Sequence, residues 1–169
     1  MELKFNPNKI SYWSERYGYP LNEDGVINLA PLIQKQGYMT KQQLQTLCQW
    51  KSARSSGNTR SNSQQYVKEV TNFALSSDNE RSRIEALTLL DGVGWPTASA
   101  ILHLYHADNY PILDFRALWS VNAKVPSQYS FDFWWEYVLL TRNLSEKYNI
   151  DMRSLDRALW QYSKEKQPV

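Results

Sequence analysis

The chain has 169 residues, enough for one domain or for a larger and a smaller lobe with a real core, and too few for several independent domains. Lys and Arg total 19 against 17 Asp and Glu, so the formal charge is +2 and bulk electrostatics does not identify a partner. Aromatic residues make up 14 % of the chain and glycine contributes only 6 residues, which excludes a disordered or collagen-like protein. One cysteine, Cys48, excludes an internal disulfide and a four-thiolate zinc or iron–sulfur site, and favours a reducing, cytoplasmic setting. No signal-like or membrane-spanning apolar run occurs, so a soluble protein without a membrane partner is expected.

Residues 1 to 38 read as an irregular N-terminal arm packed on the body. Within it, residues 8 to 17 suit one helix, 19 to 25 are turn-rich, and 26 to 29 suit an extended segment. From Thr40 onward the apolar spacing is helical and strand alternation is nearly absent. Thr40 and Gln43 form a capping box ahead of Leu44, Leu47 and Cys48, which predicts a helix over 40 to 51. The small polar residues of 52 to 63 predict a loop. Tyr66, Val67, Val70, Phe73 and Ala74 mark a second helix, and Ile84, Leu87 and Leu90 a third. After the turn Asp91-Gly92-Val93-Gly94, a fourth helix carries Ala98, Ile101, Leu102 and Tyr105, with Pro96 in its first turn. Tyr110-Pro111-Ile112-Leu113 should be extended, and Asp114 caps a helix from Phe115 to about Val121. Helices opening at Ser130 and Asp151 complete an all-α chain of about seven helices, with residues 39 to 169 as its helical domain.

Glycines at 92 and 94 let the chain turn tightly and meet a partner with bare backbone. The N–H groups near Trp95, Thr97 and Ala98, with the positive end of the helix dipole, suit a phosphate oxygen. An ordinary corner between two helices has the same local sequence, so the hairpin alone leaves both readings open.

The run Leu90-Asp91-Gly92-Val93-Gly94-Trp95-Pro96-Thr97-Ala98, followed by Tyr110-Pro111-Ile112-Leu113-Asp114, resembles the helix-hairpin-helix DNA glycosylase superfamily, most closely its adenine-glycosylase and endonuclease III-like branches. Asp114 lies twenty residues after Gly94, the spacing of the family's essential aspartate. The resemblance is specific over residues 84 to 121 and fainter out to Leu155-Asp156-Arg157-Ala158-Leu159-Trp160. It implies a helix-hairpin-helix glycosylase-like fold, double-stranded DNA as partner, and base excision with Asp114 as the catalytic group. The alternative is a non-catalytic DNA-binding or scaffold module on the same fold. A third reading, a helical protein-interaction domain, draws on the surplus of aromatics and the near-neutral charge.

The chain departs from that family in three ways. Pro96 stands where bifunctional members carry the lysine that attacks the sugar, so the implied enzyme is a monofunctional hydrolase. The four-cysteine cluster of the nearest branches is absent, and no cofactor is expected. Only about ninety residues precede Asp91, fewer than those branches place ahead of the hairpin.

Lys51, Arg54 and Arg60, in a stretch without acidic residues, suit phosphate contacts, or equally a solvated loop. Arg116 suits a pair with Asp114 or with a phosphate. His103 and His106 lie three apart on one helix, but two ligands do not define a metal site and solvent-facing histidines are the better reading.

Overall fold

A computed structural model of the chain describes residues 1–168. Among these there are ten α-helices and no strand: α1 (Ile10–Glu15), α2 (Asp24–Ile27), α3 (Ala30–Gln36), α4 (Lys41–Lys51), α5 (Gln64–Ser76), α6 (Glu80–Leu87), α7 (Trp95–Tyr105), α8 (Phe115–Ser120), α9 (Phe131–Tyr148) and α10 (Met152–Lys166). Two 3-10 turns, Pro7–Lys9 and Ser56–Ser61, complete the regular elements. The seven helices expected from Thr40 onward are α4 to α10. Six of them begin at a side-chain cap, with Thr40, Ser63, Asn79, Asp114, Ser130 and Asp151 each accepting a first-turn backbone N–H. Thr40 and Gln43 close the full capping box.

The N-terminal segment is more regular than its sequence suggests: α1 falls within the helix expected over 8 to 17, and α2 and α3 are additional. Residues 26 to 29 are not extended. Val26 and Ile27 both donate their N–H to Glu23 O, at 2.9 and 3.0 Å, and the buried Val26 returns its carbonyl to the Tyr105 hydroxyl at 3.0 Å. Helix α3 carries Pro31 in its first turn and ends at Gly37, whose φ of +74° suits a residue without Cβ. Helices of four and seven residues are too short to show a period, and Pro31 in α3 reads as a breaker. The predicted loop at 52 to 63 also contains order: Ser56, Thr59 and Ser61 hydroxyls each donate to the carbonyl three residues back, which winds the 3-10 turn.

The chain divides into two compact units, Met1–Tyr19 with Asn109–Val169, and Pro20–Asp108. The expected boundary after residue 38 thus falls inside the second unit. In the first unit, α10 packs against α1, α8 and α9. Its backbone carbonyl at Leu159 receives the Ser120 hydroxyl at 2.6 Å, and the first residues pair with the end of α8 through Glu2 N–H to Val121 O and Lys4 N–H to Ser120 O, both 2.9 Å. Phe5, Trp13 and Trp119 all pack on Tyr162. In the second unit, α4 packs against α2, α5 and α7, and α7 packs against α3, α4 and α6. Leu44, Leu47, Ile101 and Leu102 are completely buried there.

Cys48 lies in that core, and burial pushes its thiol up to about 12. Because the folded value is raised, the contribution of this group to stability is complete below about pH 9, where the unfolded thiol begins to ionise, and declines as pH rises toward 12. The native protein is expected to resist iodoacetamide near pH 8 and to be alkylated once guanidinium unfolds it. Rapid stoichiometric labelling without denaturant would contradict this burial.

Candidate functional site

In the second unit, the turn from Leu90 to Gly94 joins α6 to α7, with Val93 N–H donating to Leu90 O at 3.0 Å. The two glycines do different work. Gly92 has φ +82°, and a Cβ there would lie 2.8 Å from Thr59 Cγ2 and 3.1 Å from Ser55 O. The turn itself therefore demands glycine at 92. Gly94 is extended, with φ −91°, is exposed, and a Cβ on it would meet nothing nearer than Pro96 Cδ at 3.8 Å. Nothing within the chain requires a bare backbone at this point.

Helix α7 differs from the six capped helices in having no side-chain cap, because its N-cap is Gly94. Pro96 has no N–H to give. The Ala98 N–H, expected to be open, is instead spent on the first intrahelical bond, to Gly94 O at 2.9 Å. That leaves Gly94 and Thr97 N–H without an acceptor among the described residues. Val93, Thr97 and Ala98 are buried, so a ligand here meets main chain rather than these side chains, while Trp95 is half-buried at the first helical position. An open cavity of about 470 Å³ lies at the turn, lined by residues 88 to 94, Pro96 and Thr97 together with Ser52 and Ser55, with Leu89 exposed in its wall.

The segment before α5 braces this turn. Asn62 receives Asp91 N–H on its side-chain oxygen at 3.0 Å and donates its amide to Asp91 O at 2.9 Å, while the Ser61 hydroxyl donates to the Asp91 carboxylate at 2.7 Å. Sequence reasoning singled out the cations of this segment and missed the brace. Lys51 ends α4, Arg54 is exposed in the turn that follows, and Arg60 is exposed on the 3-10 turn at a different cavity, beside Trp50.

In the first unit, Tyr110, Pro111, Ile112 and Leu113 form the expected non-helical approach, and all four are buried. Asp114 follows as N-cap of α8, half-buried, with Oδ1 accepting Arg116 N–H at 3.0 Å. Asp156 on α10 anchors the main chain of this approach, which Trp134 and Arg142 on α9 also pack through Tyr110. Its carboxylate is buried, accepts Ile112 N–H at 3.2 Å on one oxygen, and on the other accepts Arg153 Nη1 at 3.0 Å. The signal for it was an acidic residue on the apolar side of an amphipathic helix. Tyr137 on α9 is fully buried, its hydroxyl without a hydrogen-bond partner among the described residues. Burial first, then the charges of Asp156 and Asp114, push its pKa far above the phenol range, so it stays neutral near both carboxylates.

The Arg116 side chain does not pair with Asp114. Its guanidinium lies 5.1 Å from the Phe115 ring and 5.5 Å from that of Trp160, and it forms no ion pair among the described residues; only its backbone N–H reaches Asp114. The reason is the short reach of a capping carboxylate, which turns back to the first turn rather than outward. The expected solvent-facing histidines are also corrected. The His106 side chain is 8 % exposed and its Nδ1 accepts Asp108 N–H at 2.9 Å, because α7 is buried on nearly all sides. No cluster of three or more His, Cys, Asp or Glu is arranged around a common point among the described residues.

Gly92→Ala is expected to lower stability by about 2–4 kcal/mol, from the left-handed backbone and the overlap with Thr59, whereas Gly94→Ala should stay within about 1 kcal/mol of the parent. Denaturant melts of the two variants decide it, and equal costs would refute the distinction. Asp156→Ala should cost about 3 kcal/mol or more in the same melts, by stranding the buried Ile112 N–H and removing a charge-assisted bond to Arg153.

No protein-family model matches the sequence, and no curated protein matches it. Among solved structures, the chain is similar to the 8-oxoguanine glycosylase/lyase of Methanocaldococcus jannaschii, crystallised with a 15mer DNA containing 8-oxoguanine. The TM-score is 0.53 at 18 % identity, over 98 % of this chain and 85 % of that one. The fold is therefore all-α and of the helix-hairpin-helix glycosylase kind.

Proposed function

We propose that this protein binds double-stranded DNA through the backbone of residues 92 to 98 and acts as a monofunctional DNA glycosylase with Asp114 as its catalytic residue, a divergent member of the helix-hairpin-helix glycosylases. The observation that carries the binding half is the uncapped start of α7. Six other helices satisfy their first turn with a side chain, whereas this one presents open N–H groups at an exposed glycine that the fold does not itself need. A phosphate oxygen satisfies such donors and the helix dipole together. Lys51, Arg54 and Arg116 add long-range attraction to the backbone of the duplex.

For the chemistry, Asp114 supplies a carboxylate at the end of a buried, Asp156-anchored approach. Breaking the C1′–N bond sends its electron pair to the departing base, which takes up a proton, and leaves positive charge on the sugar. An ionised Asp114 stabilises that charge and accepts a proton from the water whose oxygen bonds to C1′. With Pro96 in place of a hairpin amine, the product is an abasic site with the strand intact. The second reading, a DNA-binding module without activity, draws support from Asp114 Oδ1 being engaged as a helix cap.

Incubation of the protein with duplexes carrying 8-oxoguanine, uracil or alkylated bases should yield strand breaks only after hot alkali. Asp114→Asn should lower that yield about 100-fold or more while leaving DNA affinity within a few-fold. Excision that survives Asp114→Asn refutes the assigned role, and salt-dependent binding without excision of any base selects the non-catalytic module. Binding indifferent to salt, or to Gly94→Glu, refutes phosphate recognition at the hairpin.

A further inference from the structure

A second cavity, about 570 Å³ and distinct from the hairpin depression, lies within the second unit between α2, α4 and the 3-10 turn Ser56–Ser61. Its volume falls in the range of roughly 300–1,000 Å³ of small-molecule sites. Leu21, Val26 and Trp50 supply apolar walls. The polar lining is unusual for a surface helix: Gln42, Gln45, Thr46 and Gln49 stand at i, i+3, i+4 and i+7, one stripe of α4, with no charge among them. A solvated helix face normally carries Lys and Glu. Here the stripe offers carboxamides, each both donor and acceptor.

Ser56 donates to Gln49 Oε1 at 2.9 Å, while Gln42, exposed, and Gln45, half-buried, line the same wall of the cavity. Arg60 closes the rim, exposed and without an ion pair among the described residues, and no acidic side chain lines the cavity. The ligand that uses all three features has a flat apolar body, an edge with adjacent donor and acceptor, and a negative charge. Adenine N6 and N7 present that edge to a single glutamine amide. A neutral saccharide leaves the cation unused.

We propose that this cavity binds a purine nucleoside monophosphate, the base against the Gln42–Gln45 amides and the phosphate on Arg60, either as a free nucleotide or as an unstacked residue of a single strand. This assignment stands apart from the glycosylase reading, since it involves neither Asp114 nor the 92 to 98 backbone.

The test is a titration of the full-length, 15N-labelled protein with AMP, adenosine, inorganic phosphate and a deoxyadenosine tetranucleotide, read from the carboxamide signals of Gln42, Gln45 and Gln49. AMP should shift these saturably, with adenosine at least about fivefold weaker and phosphate alone without effect at the amides. Arg60→Ala should bring AMP down to the affinity of adenosine, and Gln45→Ala should weaken both about tenfold; neither side chain belongs to the core, and unchanged spectral dispersion verifies the fold. Tighter binding of AMP than of the tetranucleotide identifies a free nucleotide as the ligand, and the reverse identifies a strand. The proposal is overturned if millimolar AMP and tetranucleotide leave the amides unmoved, if glucose binds as well as AMP, or if both variants bind like the parent.

Discussion

The buried carboxylate of Asp156 bridges two chain segments 44 residues apart, with one oxygen on Ile112 N–H and the other on Arg153. A charge in that position has lost most of its water, and both of its partners are required to offset the loss. Ile112 lies two residues ahead of Asp114, and Pro111 between two buried neighbours removes further freedom. The approach to the candidate catalytic group is therefore anchored from the last helix by Asp156, and from α9 by Arg142 Nε on Asn109 O at 2.8 Å and Trp134 stacked on Tyr110. The Ser120 hydroxyl on Leu159 O ties the far end of α8 to the same helix. Both ends of this short helix are thereby referred to α10, which gives a six-residue element a fixed position it could not hold by its own hydrogen bonds.

A comparable economy holds the hairpin of the second unit. Asn62 reads both the N–H and the carbonyl of Asp91, much as a neighbouring strand would, and the close approach of Thr59 to Gly92 leaves no room for a side chain. Asn62 braces the main chain of Asp91 with an uncharged amide, and the Ser61 hydroxyl holds the Asp91 carboxylate. That division of labour reconciles a net charge of only +2 with a proposed anionic partner, because the donors aimed outward are backbone N–H groups with the dipole behind them.

Local chemistry was legible from the residues. Helices α4, α8, α9 and α10 start where a capping side chain stands, since an N-cap acts over three residues and writes its signature within that distance. The hairpin and the extended approach to Asp114 were legible for the same reason, through glycine and proline. Helices α2 and α3 were not, because four or seven residues give too few turns for a period and their stability comes from contacts such as Tyr105 on Val26 O. Nor was the difference between the two glycines visible, since the left-handed backbone at Gly92 and the presence of Thr59 beneath it separate a required glycine from a dispensable one.

By itself, then, the order of residues determined an all-helical chain, the position of its turn, and the carboxylate twenty places further on, because each of these is set by interactions that span a few residues. The tertiary structure alone decided which groups remain available. It spent the Ala98 N–H, carried Arg116 onto Trp160 rather than Asp114, buried His106, and set Arg60 beside a stripe of glutamines. Availability depends on what the rest of the chain places within hydrogen-bonding distance, and that is fixed only when segments remote in sequence pack together.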